Sequence, residues 1–222
     1  KTTLDLRSPD GYDILIDSGY GNGSPSSTGS WSGTFDWSLV NGFEEIRSQG
    51  YSFNETFTDN VGQAGTTLKI RSGRGTFDFT AETDANIDFE GQTGSYYSYV
   101  NFTGGSLADT VKSYGANDIL DGGAGNDILD AGEGDDTLTG GAGDDIIDAS
   151  QASNVRYING GSGEDTLIGT ESNDVLQGGD NNDSINGGNG DNRLYGDAGN
   201  DTLVSGSGND TLYGGDNNDY IN

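Results

Sequence analysis

From Gly104 to Asn222 the sequence divides into thirteen units of nine residues, with only Ala149 and Ser150 left over. Gly122 to Asp130 (Gly-Gly-Ala-Gly-Asn-Asp-Ile-Leu-Asp) serves as the template. The eighth place is aliphatic in every unit, from Val111 through Leu129 and Leu167 to Ile221. The sixth place is aspartate in eleven units: Asp109, Asp118, Asp127, Asp136, Asp145, Asp165, Asp174, Asp183, Asp201, Asp210 and Asp219. Arg156 and Asn192 are the exceptions. One apolar residue in nine makes neither a helical stripe nor an ordinary alternating strand, and it fits a strand of about three residues between tight turns. Such a unit cannot bury its aliphatic side chain alone and must stack on copies of itself. The periodicity therefore predicts an all-β solenoid.

The unit resembles the repeat-in-toxin (RTX, hemolysin-type) nonapeptide G-G-x-G-x-D-x-U-x, which Gly122 to Asp130 and Gly140 to Asp148 match at every defined place. The resemblance implies a right-handed parallel β-roll or β-helix with two units per coil, six residues of each unit forming a turn and three a strand. It also implies Ca²⁺ between turns stacked on the same edge, held by the sixth-place aspartates and by turn carbonyls. The turn glycines so implicated are Gly123, Gly125, Gly132, Gly134, Gly141, Gly143, Gly161 and Gly163, followed by Gly179, Gly188, Gly190, Gly199, Gly206, Gly208 and Gly215. Ca²⁺ is a hard cation that takes oxygen ligands, and glycine permits the positive φ at which turn carbonyls converge. Asn154, Asn181 and Asn217 take the fourth place where glycine is missing, and asparagine is the next most tolerant residue there. Leu107, Ala116 and Ser172 depart from that pattern.

With two units per coil, alternate units line opposite edges. One edge carries Asp109, Asp127, Asp145, Asp165, Asp183, Asp201 and Asp219, and is expected to form a continuous calcium ladder. The other carries Asp118, Asp136, Arg156, Asp174, Asn192 and Asp210, and is expected to be broken. The insertion Ala149-Ser150 falls just before the unit of Arg156. Two readings of Arg156 stand: a guanidinium replacing a cation beside Asp136 or Asp174, or a solvated side chain on a decayed repeat. Residues 104–222 hold 23 acidic residues against Lys112, Arg156 and Arg193, a net charge of −20. Roughly six to nine Ca²⁺ ions would offset most of it.

The rest of the chain lacks this regularity. Residues 1–65 read as irregular β structure, a cap or small β domain, with alternation at Tyr12 to Ile16, Phe35 to Leu39 and Tyr51 to Phe57 and a Gly- and Ser-rich loop from Gly19 to Gly33. In residues 66–103 the pairs Leu68/Ile70, Phe77/Phe79, Ile87/Phe89 and Val100/Phe102 recur at solenoid spacing without the Asp and Gly signature. This segment is expected to form metal-free β-helix coils leading into the β-roll of 104–222. An independent β-sandwich ending near Thr103 is the alternative.

Composition narrows the function. A net charge of −28 argues against nucleic acid and anionic membranes, which need basic patches, and no run is long and apolar enough for a transmembrane segment. With no His and no Cys, H-E-x-x-H and thiolate chemistry are excluded and a zinc site is disfavoured. No serine sits in G-x-S-x-G. Carboxylate pairs such as Asp135-Asp136 and Asp144-Asp145 repeat too often for acid–base catalysis and suit metal binding. The expected protein is a non-catalytic, extracellular calcium-binding protein of bacterial type, secreted by a type I route and serving assembly or attachment in a surface layer, filament or adhesin. The final unit closes at Asn222 with no apolar cap, so self-association head to tail is one expected partnership. A cell-surface polysaccharide stacked on Trp31 and Trp37 is another, in a glycan-binding module. A third reading is the C-terminal part of a secreted enzyme, since Lys1 opens neither a signal peptide nor a start codon.

Overall fold

The computed structural model describes residues 99–222 apart from residue 114, together with eight strands among residues 2–88; side chains are described from residue 99 on, apart from 154–156. Every regular element among the described residues is a strand.

Two sheets hold all the strands. The first contains β1 (Thr2–Arg7), β2 (Asp13–Ser18), β4 (Glu45–Arg47), β6 (Leu68–Arg71), β8 (Asn86–Asp88) and β10 (Thr110–Lys112). It continues with β12 (Ile128–Asp130), β14 (Ile146–Asp148), β16 (Thr166–Ile168), β18 (Ser184–Asn186), β20 (Thr202–Val204) and β22 (Tyr220–Ile221). The second contains β3 (Ser30–Ser32), β5 (Ser52–Thr56), β7 (Arg74–Asp78), β9 (Val100–Thr103) and β11 (Ile119–Ala124). It continues with β13 (Asp135–Ala142), β15 (Asn154–Ser162), β17 (Val175–Asp180), β19 (Arg193–Ala198) and β21 (Thr211–Asp216). From β3 on, successive strands alternate between sheets, and each pairs in parallel with the next strand of its own sheet, as Leu129 does with Ile147 and Leu120 with Leu138. This is the β-solenoid that the nine-residue period predicts.

Parallel pairing continues through position 103 in both sheets. β8 pairs with β10, and β9 pairs with both β7 and β11. The strands β3, β4 and β5 already lie in the same two sheets, and β1 with β2 adds an antiparallel hairpin at the far end of the first. Asn101, Phe102 and Thr103 pair in register with Ile119, Leu120 and Asp121 of the first repeat coil. The sequence alternation at Tyr12 to Ile16 and Tyr51 to Phe57 overlaps β2 and β5. Phe35 to Leu39 lies outside the described residues, and Ser30–Ser32 is a strand inside the stretch read as a loop.

The core is a single file. Eighth-place side chains from Val111 to Leu203 are at most 1% exposed, and Phe102 closes the series at one end. Burying each such side chain stabilises the fold by about 1.5–3 kcal/mol. Only one residue in nine contributes, so the stack depends on repetition.

The two kinds of connection differ. First-sheet strands span the seventh to ninth places of a unit, as expected. Most second-sheet strands run on through the first three places of the next unit, with Gly123 opposite Gly141 and Ala124 opposite Ala142. The resemblance assigned those places to turn. They extend because stacked Gly-Gly backbones approach closely enough to bond, as in Ala124 N–H to the Gly105 carbonyl (3.0 Å) and Gly125 N–H to the Ala142 carbonyl (2.7 Å).

Candidate metal centre

Most sixth-place aspartates end a turn made tight by positive φ at its second and fourth places. Of the fifteen glycines singled out from the sequence, fourteen have positive φ, and Gly199 is the exception. Asn181 (80°) and Asn217 (78°) take the same conformation at the fourth place and Asp197 (73°) at the second, as these short polar residues can, while Ala116 (98°) does so at a fourth place against its side chain. Asn154 lies outside the residues whose side chains are described.

The aspartates of the first edge stack into one ladder. The backbone N–H of Asp109 donates to Oδ1 of Asp127 (2.7 Å), Asp127 to Asp145 (2.8 Å) and Asp145 to Asp165 (2.8 Å). Asp165 donates to Asp183 (2.9 Å), Asp183 to Asp201 (2.8 Å) and Asp201 to Asp219 (3.0 Å). The step from Asp145 to Asp165 spans the two-residue insertion without interruption. All of these except Asp219 are at most 3% exposed.

From Asp127 to Asp201, one oxygen of each carboxylate is thereby fixed, and the other is stranded. Oδ2 of Asp127, Asp145, Asp165, Asp183 and Asp201, and of Asp118 and Asp136 on the other edge, is buried without a hydrogen-bond partner. A methyl group on Gly122 would sit 2.7 Å from the Gly140 carbonyl oxygen and nearer still to Oδ2 of Asp127. Gly140 stands likewise between Oδ2 of Asp145 and the Gly160 carbonyl, and Gly160 between Oδ2 of Asp165 and the Gly178 carbonyl. A carboxylate of one turn and a carbonyl of the next converge on the same small space.

Burial without a countercharge raises the carboxyl pKa values. Asp136 is pushed up to about 8 and Asp118, Asp145 and Asp183 to about 7; desolvation is the main cause, and stacked neighbours such as Asp127 and Asp165 add repulsion at Asp145. Asp127, Asp165 and Asp201 are raised for the same first reason.

The second edge begins alike and then changes. Val100 N–H donates to Oδ1 of Asp118 (2.7 Å) and Asp118 N–H to Oδ1 of Asp136 (2.8 Å). Counting places puts Arg156 next in that file, but the register differs. Asp136 pairs with Val155 and Thr137 with Tyr157, so the backbone bulges at Arg156 and leaves it without an opposite residue. Only part of the insertion is taken up at Ala149-Ser150, where Ala152 N–H closes a turn onto the Ala149 carbonyl (2.9 Å). The Arg156 side chain, on which the guanidinium-for-cation and solvated readings differ, lies outside the described residues. Beyond the bulge, the Thr170 hydroxyl donates to Asp174 Oδ1 and Oδ2 (2.9 and 3.0 Å), and the Thr170 N–H to Oδ2 (2.7 Å). Asp174 N–H donates to Oδ1 of Asn192 (2.9 Å) and Asn192 N–H to Oδ1 of Asp210 (2.8 Å).

A second ladder was not foreseen. At the fifth place, Asp144 N–H donates to Oδ1 of Asn126 (3.0 Å), Asn200 to Asn182 (2.8 Å), Asp191 to Asn173 (2.7 Å) and Asn209 to Asp191 (2.8 Å). It runs opposite in sense to the aspartate ladder. Its signal was present as Asn, Asp or Glu at the fifth place of nearly every unit, hidden by the general richness in these residues.

These donors fit a hard cation. No three acidic side chains gather into one cluster among the described residues, so carbonyls must complete any coordination sphere, as they do for Ca²⁺. Bound Ca²⁺ would supply the positive charge that the stranded Oδ2 atoms lack. No helix among the described residues is long and apolar enough to cross a membrane.

Comparison with known proteins agrees. A family model described as the RTX calcium-binding nonapeptide repeat matches in four copies, over residues 103–138, 127–155, 159–194 and 195–222. No curated protein and no solved structure matches the chain. With more than half of its length covered by that model, the chain belongs to the RTX calcium-binding nonapeptide repeat family.

Proposed function

We propose that this chain is a secreted, non-catalytic protein whose roll folds on Ca²⁺ outside the cell, exported by a type I route and serving extracellular assembly or attachment. The observation that carries the reading is the file of buried Oδ2 atoms with no partner. Buried carboxylates stacked one coil apart disfavour the folded chain unless a cation lies between them. A net charge of −28 adds self-repulsion in the absence of metal. Where calcium is scarce, as in cytosol, the chain stays expanded and suited to export. Where calcium is plentiful, it compacts. Roughly six to nine ions remain the expected load.

Sedimentation velocity with chelator and then with millimolar calcium tests this. A slow, expanded species that becomes compact supports calcium-driven folding, and large calcium-dependent polymers support assembly. No change on adding calcium would remove the reading altogether. Trp31 and Trp37, on which a polysaccharide-binding role rested, have side chains outside the described residues.

A further inference from the structure

Asn192 occupies a sixth place, yet its side chain is fully paired. Its Oδ1 accepts the Asp174 N–H, as Oδ1 of Asp145 accepts the Asp127 N–H. Its Nδ2 takes the position of the stranded Oδ2 and donates to the carbonyls of Asn189 and Ser205, each at 3.2 Å. Ser205 holds the first place of the next turn on that edge, the same place as Gly140 relative to Asp127. A methyl group on Gly187 would lie 2.9 Å from Asn192 Nδ2 and 3.2 Å from the Ser205 carbonyl. The amide therefore stands in the space where, one edge over, a carboxylate oxygen and a carbonyl oxygen face each other.

We infer that the gap between the Asn192 turn and the Asp210 turn is closed by the Asn192 amide and takes no Ca²⁺, making it a built-in metal-free rung. The inference rests on the calcium reading of the other rungs. An amide nitrogen brings two N–H donors to two carbonyls, so both oxygens are satisfied without a cation. It carries no charge to neutralise, and its hydrogens would oppose any cation placed there. The neighbouring rung is also paired internally, through the Thr170 hydroxyl on Asp174. With the bulge at Arg156, the middle of the second edge departs from the metal-ready pattern for three consecutive turns. The first edge keeps that pattern from Asp127 to Asp201.

Native mass spectrometry of the full chain at saturating calcium, on the unaltered protein and on Asn192→Asp, tests the assignment. The aspartate exchanges the two donors for a stranded oxygen, and the expected result is one additional ion per chain. An unchanged ion count would overturn the inference. Should Asn192→Asp fail to fold, anomalous scattering from calcium-grown crystals of the unaltered protein decides. Peaks are expected between the Asp127 and Asp145 turns and absent between the Asn192 and Asp210 turns; a peak bonded to Asn192 Oδ1 would overturn it. A chain that binds no calcium at either edge would sink the proposed function instead, and is recognised by a zero count for both proteins.

Discussion

The backbone amide of Asp127 is bonded at 2.8 Å to one oxygen of Asp145, while the other oxygen of Asp145 is buried with no partner. One side chain thus performs two separable tasks: it staples adjacent coils, and it offers a charge to a cation.

Substitution at Asp145 separates them. Asp145→Asn keeps an oxygen for the Asp127 amide and places a donor where Oδ2 stood, as at Asn192. The expected outcome is a folded chain with fewer bound ions. Asp145→Ala strands the Asp127 amide as well, at an added cost of roughly 1–3 kcal/mol. Ion counting and urea unfolding of both variants check the difference.

Core truncation is predicted to depend on position along the file. Leu167 is 0% exposed, and Leu167→Ala is expected to cost about 2–5 kcal/mol at saturating calcium. Ile221 holds the same place in its unit but is 50% exposed, so Ile221→Ala is expected to change stability by roughly 0.5 kcal/mol or less. Denaturant midpoints of the two variants provide the comparison.

The raised carboxyl pKa values fix the direction of pH dependence without metal. Folded Asp118, Asp136, Asp145 and Asp183 hold protons up to about pH 7–8, whereas unfolded aspartates release theirs near the ordinary value of 3.8. Between these limits the folded state binds more protons, so its stability falls as pH rises. In chelator, structure measured by circular dichroism should therefore increase on acidification from pH 8 towards pH 4. Calcium binding should release protons over the same range, seen as a buffer-dependent heat in titration calorimetry. A metal-free roll that gained structure with rising pH would contradict this.

Gly141 has φ of 118°, and a methyl group there would strike the Gly123 carbonyl. Gly141→Ala combines an unfavourable backbone conformation with a backbone collision that no side-chain movement relieves. A loss of more than about 1 kcal/mol is expected, read from the calcium-loaded unfolding midpoint.

The solenoid and its two edges were legible because the period is strict: Leu129, Ile147 and Leu167 recur at fixed places, and stacking is their only way to leave water. The aspartate ladders followed from that count together with the two units per coil that the family resemblance implies. Three features were not legible. The bulge at Arg156 divides a two-residue insertion between a turn and a strand, a partition set by backbone pairing that counting cannot supply. The pairing of Asn192 with Asn189 and Ser205 depends on where a side-chain nitrogen falls between coils. The fifth-place ladder was concealed by composition, because a column of Asn and Asp hardly stands out in a chain so rich in both.

The aspartate ladder also has a direction. On the first edge, each sixth-place amide from Asp109 to Asp201 is satisfied by a carboxylate one coil later in the chain. A growing stack therefore shows different faces at its two ends: one offers an amide awaiting an acceptor, the other a carboxylate oxygen awaiting a donor. A coil added at the later end brings the acceptor, whereas a coil added at the earlier end brings the donor. The roll is in this sense a vectorial polymer of its own repeat, and the order in which coils are laid down decides whether a bare amide or a bare charge must wait at the front.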